Sequence, residues 1–573
     1  MINRPEYLTL TDLLQKRFFE IPDYQRTYSW TIEEREALLK DIEKIYNSTD
    51  NERHHFMSTV VCLKHSKDTQ FVGTVKYEKF EVVDGQQRLT TLIILLKAIS
   101  LKLHKSINAE KEEQEEIERL LVKKDKRLIL LQTNNDDQDI FRNYLENGKK
   151  PEKNNIRTFT DKNMFDAFKQ CEAFAEKWSK KKKLFDLLTL IKNRLGFIFY
   201  TLEDSGTVYT IFEVLNSRGL DVDWLDKAKS ILMGIVYEEF GKQAAQTHIK
   251  ELHKHWSRIY QSIGLTDIPG QEILRIAATL MNEEIGRKPL SAEESLKYFT
   301  EICHEDKTKV FNVVKFIVDV TIRLSKIYTN RRQKAVTEIL QARLLAVAIQ
   351  LSHFDKEDKD NLLNQWERVT FRIFGLYRKD SRTAVGDYVE IAKMVRNKKN
   401  TYRKIHNKLV GLGKEYPIKK IKDELFEKDC YEEWKEELRY FFFRYEEYLA
   451  KRKKAPISEE IWKSIWNEKL DKSIEHIYPQ NPKESDGSWK GKLGKNITQI
   501  KKNIHRLGNL MILPPGINSR CSNKSFERKK KIYKEQLLRL KDEIVSLRDW
   551  KRVNVIKRER ELIKWAEKTW CDR

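Results

Sequence analysis

Residues 81–99 read EVVDGQQRLTTLIILLKAI, and no other run restricts the fold as much. A β-type segment, Phe80 to Val83, meets Asp84-Gly85, and a long apolar helical pattern follows, predicted over Thr90 to His104. Strand, tight turn, polar cluster and helix start in this order are one way proteins hold phosphate. No Walker-type Gly-x4-Gly-Lys-Ser/Thr occurs in the chain, so any phosphate site here is of another kind.

The flanking sequence extends the mixture of strand and helix. FFEIP, FMSTVVCL, KFEVVD and LGFIFYTL read as strands. WTIEEREALLKDIEKIY reads as a helix opened by a capping box, Thr31 with Glu34. From about residue 240 to 470 the periodicity is helical almost throughout, without a convincing repeat. The tail is irregular at first and is predicted to end in two basic helices, 524–548 and 550–570. The predicted class is α+β and predominantly helical. Three domains are expected: 1–238, a helical linker domain 239–440, and 441–573.

Charge then narrows the partners. The net charge is +23, and residues 471–573 carry 26 Lys/Arg against 13 Asp/Glu. A basic C-terminal module points to nucleic acid first and a membrane surface second. The six cysteines lie far apart with no Cys-x-x-Cys, against a disulfide framework or a Cys-rich zinc site. No run approaches the roughly 18 apolar residues of a membrane span. A soluble, cytoplasmic protein is expected.

Three N-terminal stretches carry candidate binding groups. Gly85 can take backbone angles closed to other residues. The following helix N-terminus favours an anion, and Arg88 offers a fork for phosphate oxygens. Asp84 could hold Mg²⁺ or orient water, and Gln86 and Gln87 could bridge oxygens. IPDYQRTYSW (21–30) and FEVLNSRGLDVDWLDKAK (212–229) add polar groups. A plain Asp-Gly turn and a helix–helix loop are the competing readings. Together the three stretches resemble the N-terminal domain of GmrSD-type restriction proteins, a ParB/sulfiredoxin-like nucleotide-binding module. The resemblance implies nucleoside triphosphate binding, and hydrolysis as an extension of it, by Gln25, Arg26, Asp84, Gly85, Gln86, Gln87, Arg88, Asn216 and Arg218.

The C-terminal stretch SIEHIYPQNP (473–482) sets a carboxylate beside an imidazole, and HRLGNLMILPPGINSRCSNKSFERKKKIY follows. A phosphodiester hydrolase needs a base, a metal and a cationic surface. The order of these motifs resembles the His-Me finger (HNH) nuclease domain at the C-terminus of the same proteins, and implies a ββα-metal core. By that resemblance His476 is the general base and Asn509 braces its loop. The resemblance also implies a divalent metal, Mg²⁺ or Mn²⁺, with Glu475 as a ligand or as a group supporting the ligands and Asn518 as the second ligand. Lys524, Arg528, Lys529, Lys530 and Lys531 are expected to bind DNA phosphates.

The expected function is therefore a nucleotide-regulated, metal-dependent DNA endonuclease of the type IV restriction kind. Its expected substrate is double-stranded, modified phage DNA, with a homodimer left open. Two alternatives stand beside it. One is a modification-independent nuclease with a structural N-terminal domain. The other is a non-catalytic, nucleotide-sensing DNA-binding regulator. RVTFRIFGLYRKDSR (368–382) could line DNA or form ordinary amphipathic helix.

Overall fold

The structure, a computed structural model, describes all residues except 1–4, 23–24, 26, 48–54, 105–106, 124–126, 133–137, 203–222, 285, 435, 455–456, 467–469, 483–487 and 573. Side chains are described except also at 55, 65–68, 131–132, 138–139, 237–246 and 470–471. The chain divides into two compact units. One is Met1–Ala278 with Leu290–Ser325, the other Thr279–Pro289 with Lys326–Arg573. Residues 239–440 are thus shared between the two units. Helix dominates, and the named strands form one mixed sheet and one hairpin, an α+β composition.

The N-terminal unit is built on six strands: β1 (Glu6–Thr9), β2 (Arg17–Ile21), β3 (His55–Val72), β4 (Val75–Asp84), β5 (Leu130–Gln132) and β6 (Leu195–Leu202). Their order is β1-β6-β3-β4-β2-β5. β3 and β4 form an antiparallel hairpin, while β6 joins β3, and β2 joins β4, in parallel. Aromatic and β-branched side chains suit these positions. Phe19, Phe80, Val82, Phe197 and Phe199 are all buried. Helix α1 (Ile32–Tyr46) opens with the expected Thr31–Glu34 capping box.

Gly85 ends β4 by taking φ +94°, and helix α2 (Gln86–Ser100) starts at once. The helix therefore begins at Gln86 rather than Thr90 and stops at Ser100 rather than His104. A left-handed glycine turns the chain without the intervening loop that the sequence reading allowed. From Leu89 to Ser100 every residue of α2 is buried. The helix packs against α3 (Phe159–Lys180) in the core of this unit. A long helix, α4 (Trp224–Ile263), follows.

In the C-terminal unit, helix α5 (Glu436–Arg452) precedes a hairpin of β7 (Ile474–His476) and β8 (Leu510–Ile512). The pairing is antiparallel, with Glu475 opposite Met511 and His476 opposite Leu510. Helices α6 (Pro515–Cys521), α7 (Phe526–Lys534) and α8 (Arg552–Thr569) follow. The single helix expected over 524–548 is broken after α7. Buried Glu446 of α5 accepts the backbone N–H groups of Arg539 and Leu540, at 2.5 and 2.8 Å. That carboxylate starts a new turn at Arg539–Lys541 in place of continued α-helix. In the 368–382 stretch, Phe371 to Leu376 form a π-helical turn that is buried throughout, whereas Lys379 to Arg382 are exposed.

Candidate functional site

The C-terminal site is organised by a completely buried amide. Asn509 Oδ1 accepts Tyr478 N–H at 2.9 Å and the Trp550 indole N–H at 3.0 Å. Its Nδ2 donates to Tyr478 O at 3.0 Å and Ile504 O at 2.8 Å. Two donors and two lone pairs are thus all used. The segment leaving His476 is thereby tied at both main-chain groups of Tyr478.

Helix α8 holds the other side of this loop. Arg558 Nη1 donates to Gly508 O at 2.9 Å and Leu510 O at 2.6 Å. Arg506 and Glu559 form an ion pair with both side chains buried, Nε to Oε2 being 3.0 Å. At Gly508 a Cβ would lie 2.0 Å from Val555 O, so only glycine permits this approach of loop and helix. None of Arg506, Gly508, Trp550, Arg558 or Glu559 was singled out from the sequence. Their role arises from an approach of segments some fifty residues apart.

His476 is buried, and its Nε2 lies 3.0 Å from Nδ1 of His505. Tyr431 stacks on the His505 ring at 5.3 Å and meets the His476 ring edge-on at 4.5 Å. Burial, then His505, then Lys529 push the His476 pKa down to about 3. The ring is therefore neutral at physiological pH, and the same shift makes it a weaker proton acceptor than a free imidazole. His505 was not named as a site residue, although it opens the HRLGNL motif that supplied Asn509.

Glu475 is also buried, but its partners are protein groups. Lys529 Nζ donates to its Oε1 at 2.8 Å and to His476 O at 2.7 Å, and the Tyr533 hydroxyl donates to the same Oε1 at 2.7 Å. Burial pushes the Glu475 carboxyl up, opposed by Lys529 and Tyr533. The expectation that Lys529 binds DNA phosphate is corrected here: it is wholly buried on this carboxylate. Lys530 is half-buried, paired with Glu527 at 2.7 Å and donating to Leu547 O. Lys524, Arg528 and Lys531 remain exposed.

The two groups expected to hold a divalent ion, Glu475 and Asn518, both bond to protein groups. The carboxylate has an ammonium and a hydroxyl on Oε1, and Asn518 donates from Nδ2 to Lys472 O at 2.9 Å and Ile474 O at 3.3 Å, bonds of the nitrogen and not of the oxygen by which an amide ligates a metal. Among the described residues no group of three His, Cys, Asp or Glu could hold a metal ion.

In the N-terminal unit the turn residues are drawn together, mainly by main-chain hydrogen bonds. Gln87 Oε1 accepts Ser29 N–H at 2.9 Å and Trp30 N–H at 3.4 Å, while its Nε2 donates to Thr27 O at 3.0 Å. Gln25 Nε2 donates to Val83 O at 2.7 Å. These two glutamines stitch the first motif onto the strand–turn–helix of the second. Gln86 is buried and Asp84 half-buried. The Arg88 guanidinium lies 5.7 Å from the Trp30 ring centre, and burial lowers its pKa against the pull of Asp84 and Asp41. Gly85 is required by its φ of +94°, and a Cβ there would also press on Thr59 O at 3.2 Å. Helix α2 has no side-chain cap at its N-terminus. Arg26, Asn216 and Arg218 lie outside the described residues. Sequence reasoning missed Lys229 of α4, a buried lysine whose Nζ donates to Gln25 O at 2.9 Å. It lies within the quoted third stretch, as DWLDKAK.

Fold and site define a predominantly helical, two-unit protein with a mixed-sheet N-terminal unit and a hairpin histidine site in a basic C-terminal unit. Residues 10–233 match the model of the GmrSD restriction endonuclease N-terminal domain, and residues 417–565 that of the C-terminal domain of GmrSD restriction endonucleases. These matches together span more than half of the chain, which belongs to the GmrSD restriction endonuclease family. No curated protein matches it. Among the described residues no helix is long and apolar enough to cross a membrane.

Proposed function

We propose that the protein hydrolyses phosphodiester bonds of double-stranded DNA, with His476 as general base. The observation that carries this reading is a buried imidazole at the end of β7 whose following segment is locked by Asn509. A neutral ring takes the proton of an attacking water, and a fixed loop keeps it in place. Lys524, Arg528 and Lys531 supply exposed charge for the phosphate backbone. The hairpin with α7 against β7 is read as a His-Me finger.

The reading extends to type IV restriction, in which modified phage DNA is the substrate and a nucleoside triphosphate gates cutting. The uncapped N-terminus of α2, with Arg88 in its first turn, supports an anion at the Asp84–Arg88 turn. Arg26, Asn216 and Arg218 join that site by resemblance. The test is cleavage of modified and unmodified duplex DNA, with and without each nucleoside triphosphate. Cutting restricted to modified DNA and changed by nucleotide is expected. Equal cutting of both DNAs, indifferent to nucleotide, favours an ungated nuclease.

A further inference from the structure

The hairpin leaves one question that the base assignment does not answer: which ring nitrogen of His476 carries the lone pair. A neutral imidazole has one N–H and one acceptor, and only the acceptor nitrogen takes a proton from water. His476 Nε2 is engaged with His505 Nδ1 at 3.0 Å. In a hydrogen bond between the two rings, one of these nitrogens donates and the other accepts. The side-chain amide nitrogen of Gln480, which only donates, stands 3.4 Å from His476 Nδ1 and 3.3 Å from Nε2. Because His505 already occupies Nε2, the lone pair available to Gln480 is on Nδ1. The N–H is then on Nε2 and points at His505.

We propose that His505 is the positioning residue of the site: its Nδ1 accepts the Nε2–H of His476 and holds the base in the tautomer whose Nδ1 lone pair is open towards Gln480. This inference rests on the reading of His476 as the base. Tyr431 steadies the pair by stacking on one ring and meeting the edge of the other. His505 is itself fixed at the main chain, where its carbonyl accepts Cys430 N–H at 3.0 Å. Gln480 is exposed and can give way to water, whereas His476 is buried and Asn509 fixes the chain that follows it. In the reaction the water proton goes to His476 Nδ1, and the Nε2–H stays bonded to His505. Elsewhere an acceptor behind a catalytic histidine fixes the tautomer in the same way, and its loss leaves the geometry but not the rate.

The test uses the full chain. Histidine-selective ¹⁵N labelling reads the ring tautomers of the wild-type protein directly, with His476→Gln used to assign the signals. The inference expects a protonated Nε2 and a bare Nδ1 on His476, and the opposite tautomer overturns it. His505→Ala removes the acceptor and should lower kcat for duplex DNA by about 10²-fold or more, with DNA affinity unchanged. His505→Asn places Oδ1 near the position of Nδ1 and should recover most of that loss. His505→Ala at wild-type rate, or His505→Asn as slow as His505→Ala, contradicts the role. If His476→Ala itself cuts normally, the base assignment fails first. If His476→Ala is dead while His505→Ala is fully active, only the present inference fails.

Discussion

Replacing Lys529 by methionine tests the corrected role of that residue. The substitution keeps the buried stem and deletes the ammonium that bonds Glu475 Oε1 and His476 O. Glu475 is 4% exposed, so its carboxylate would keep the Tyr533 hydroxyl and the His476 backbone N–H but no charged partner. Removing one partner of a buried ion pair costs about 3–5 kcal/mol, because the other charge is left without compensation. For a unit of this size that corresponds to a fall of roughly 6–20 °C in the melting transition. The pH dependence has a definite sign. Burial already holds the Glu475 carboxyl above its ordinary range, and losing Lys529 raises it further. A carboxyl raised in the folded state binds protons more tightly there than in the unfolded chain. Its unfavourable contribution is therefore absent below the unfolded pKa, grows as pH rises from there to the folded pKa, and is constant above it. Melting of Lys529→Met should approach that of wild type at about pH 5 and fall furthest below it at about pH 8. Adding Glu475→Gln to Lys529→Met should recover much of the loss. Differential scanning calorimetry of the full chain reads all of this. A melting point within about 1 °C of wild type at both pH values, with a weakened salt dependence of DNA binding, would refute the buried pair and return Lys529 to the phosphate surface.

Further outcomes follow from the same geometry. Changing Lys524, Arg528 and Lys531 to glutamine should flatten the slope of log K against log salt by about 0.9 for each duplex phosphate that the protein no longer neutralises, measured by fluorescence anisotropy. An unchanged slope places DNA elsewhere. Gly85→Ala forces an L side chain to φ +94° with its Cβ 3.2 Å from Thr59 O, and should destabilise the N-terminal unit by about 1–3 kcal/mol in urea denaturation. Arg88→Ala should weaken nucleoside triphosphate binding by about tenfold or more in equilibrium dialysis and abolish any nucleotide effect on cutting. Unchanged affinity makes the Asp84–Arg88 turn purely structural.

Much of the local structure was legible because its signals are local. LGFIFYTL is strand β6 over its full length, and Thr31 with Glu34 is the capping box of α1. The start of α2 was misjudged because polar Gln86 and Gln87 look like loop residues. Gln87 in fact satisfies three main-chain groups of residues 27–30 from within the helix. In the tail, charge masked periodicity. Phe526, Lys529 and Tyr533 fall at i, i+3 and i+7, on one face of α7, and all three are buried. That spacing marks Lys529 as inward-facing, but its neighbours Arg528, Lys530 and Lys531 make it read as part of a basic run. The break after α7 depends on Glu446, which is remote in sequence. The pairing of His476 with His505 likewise depends on the register of β7 and β8, which motif order alone does not specify.

The central claim is that His476 performs the chemistry of a DNA endonuclease, and the most direct measurement is single-turnover cleavage of duplex DNA by wild type and His476→Ala, with DNA binding followed on the same preparations. The account predicts that the variant folds and binds DNA as wild type does but cuts about 10²–10⁴-fold more slowly. Wild-type cleavage by His476→Ala would contradict it.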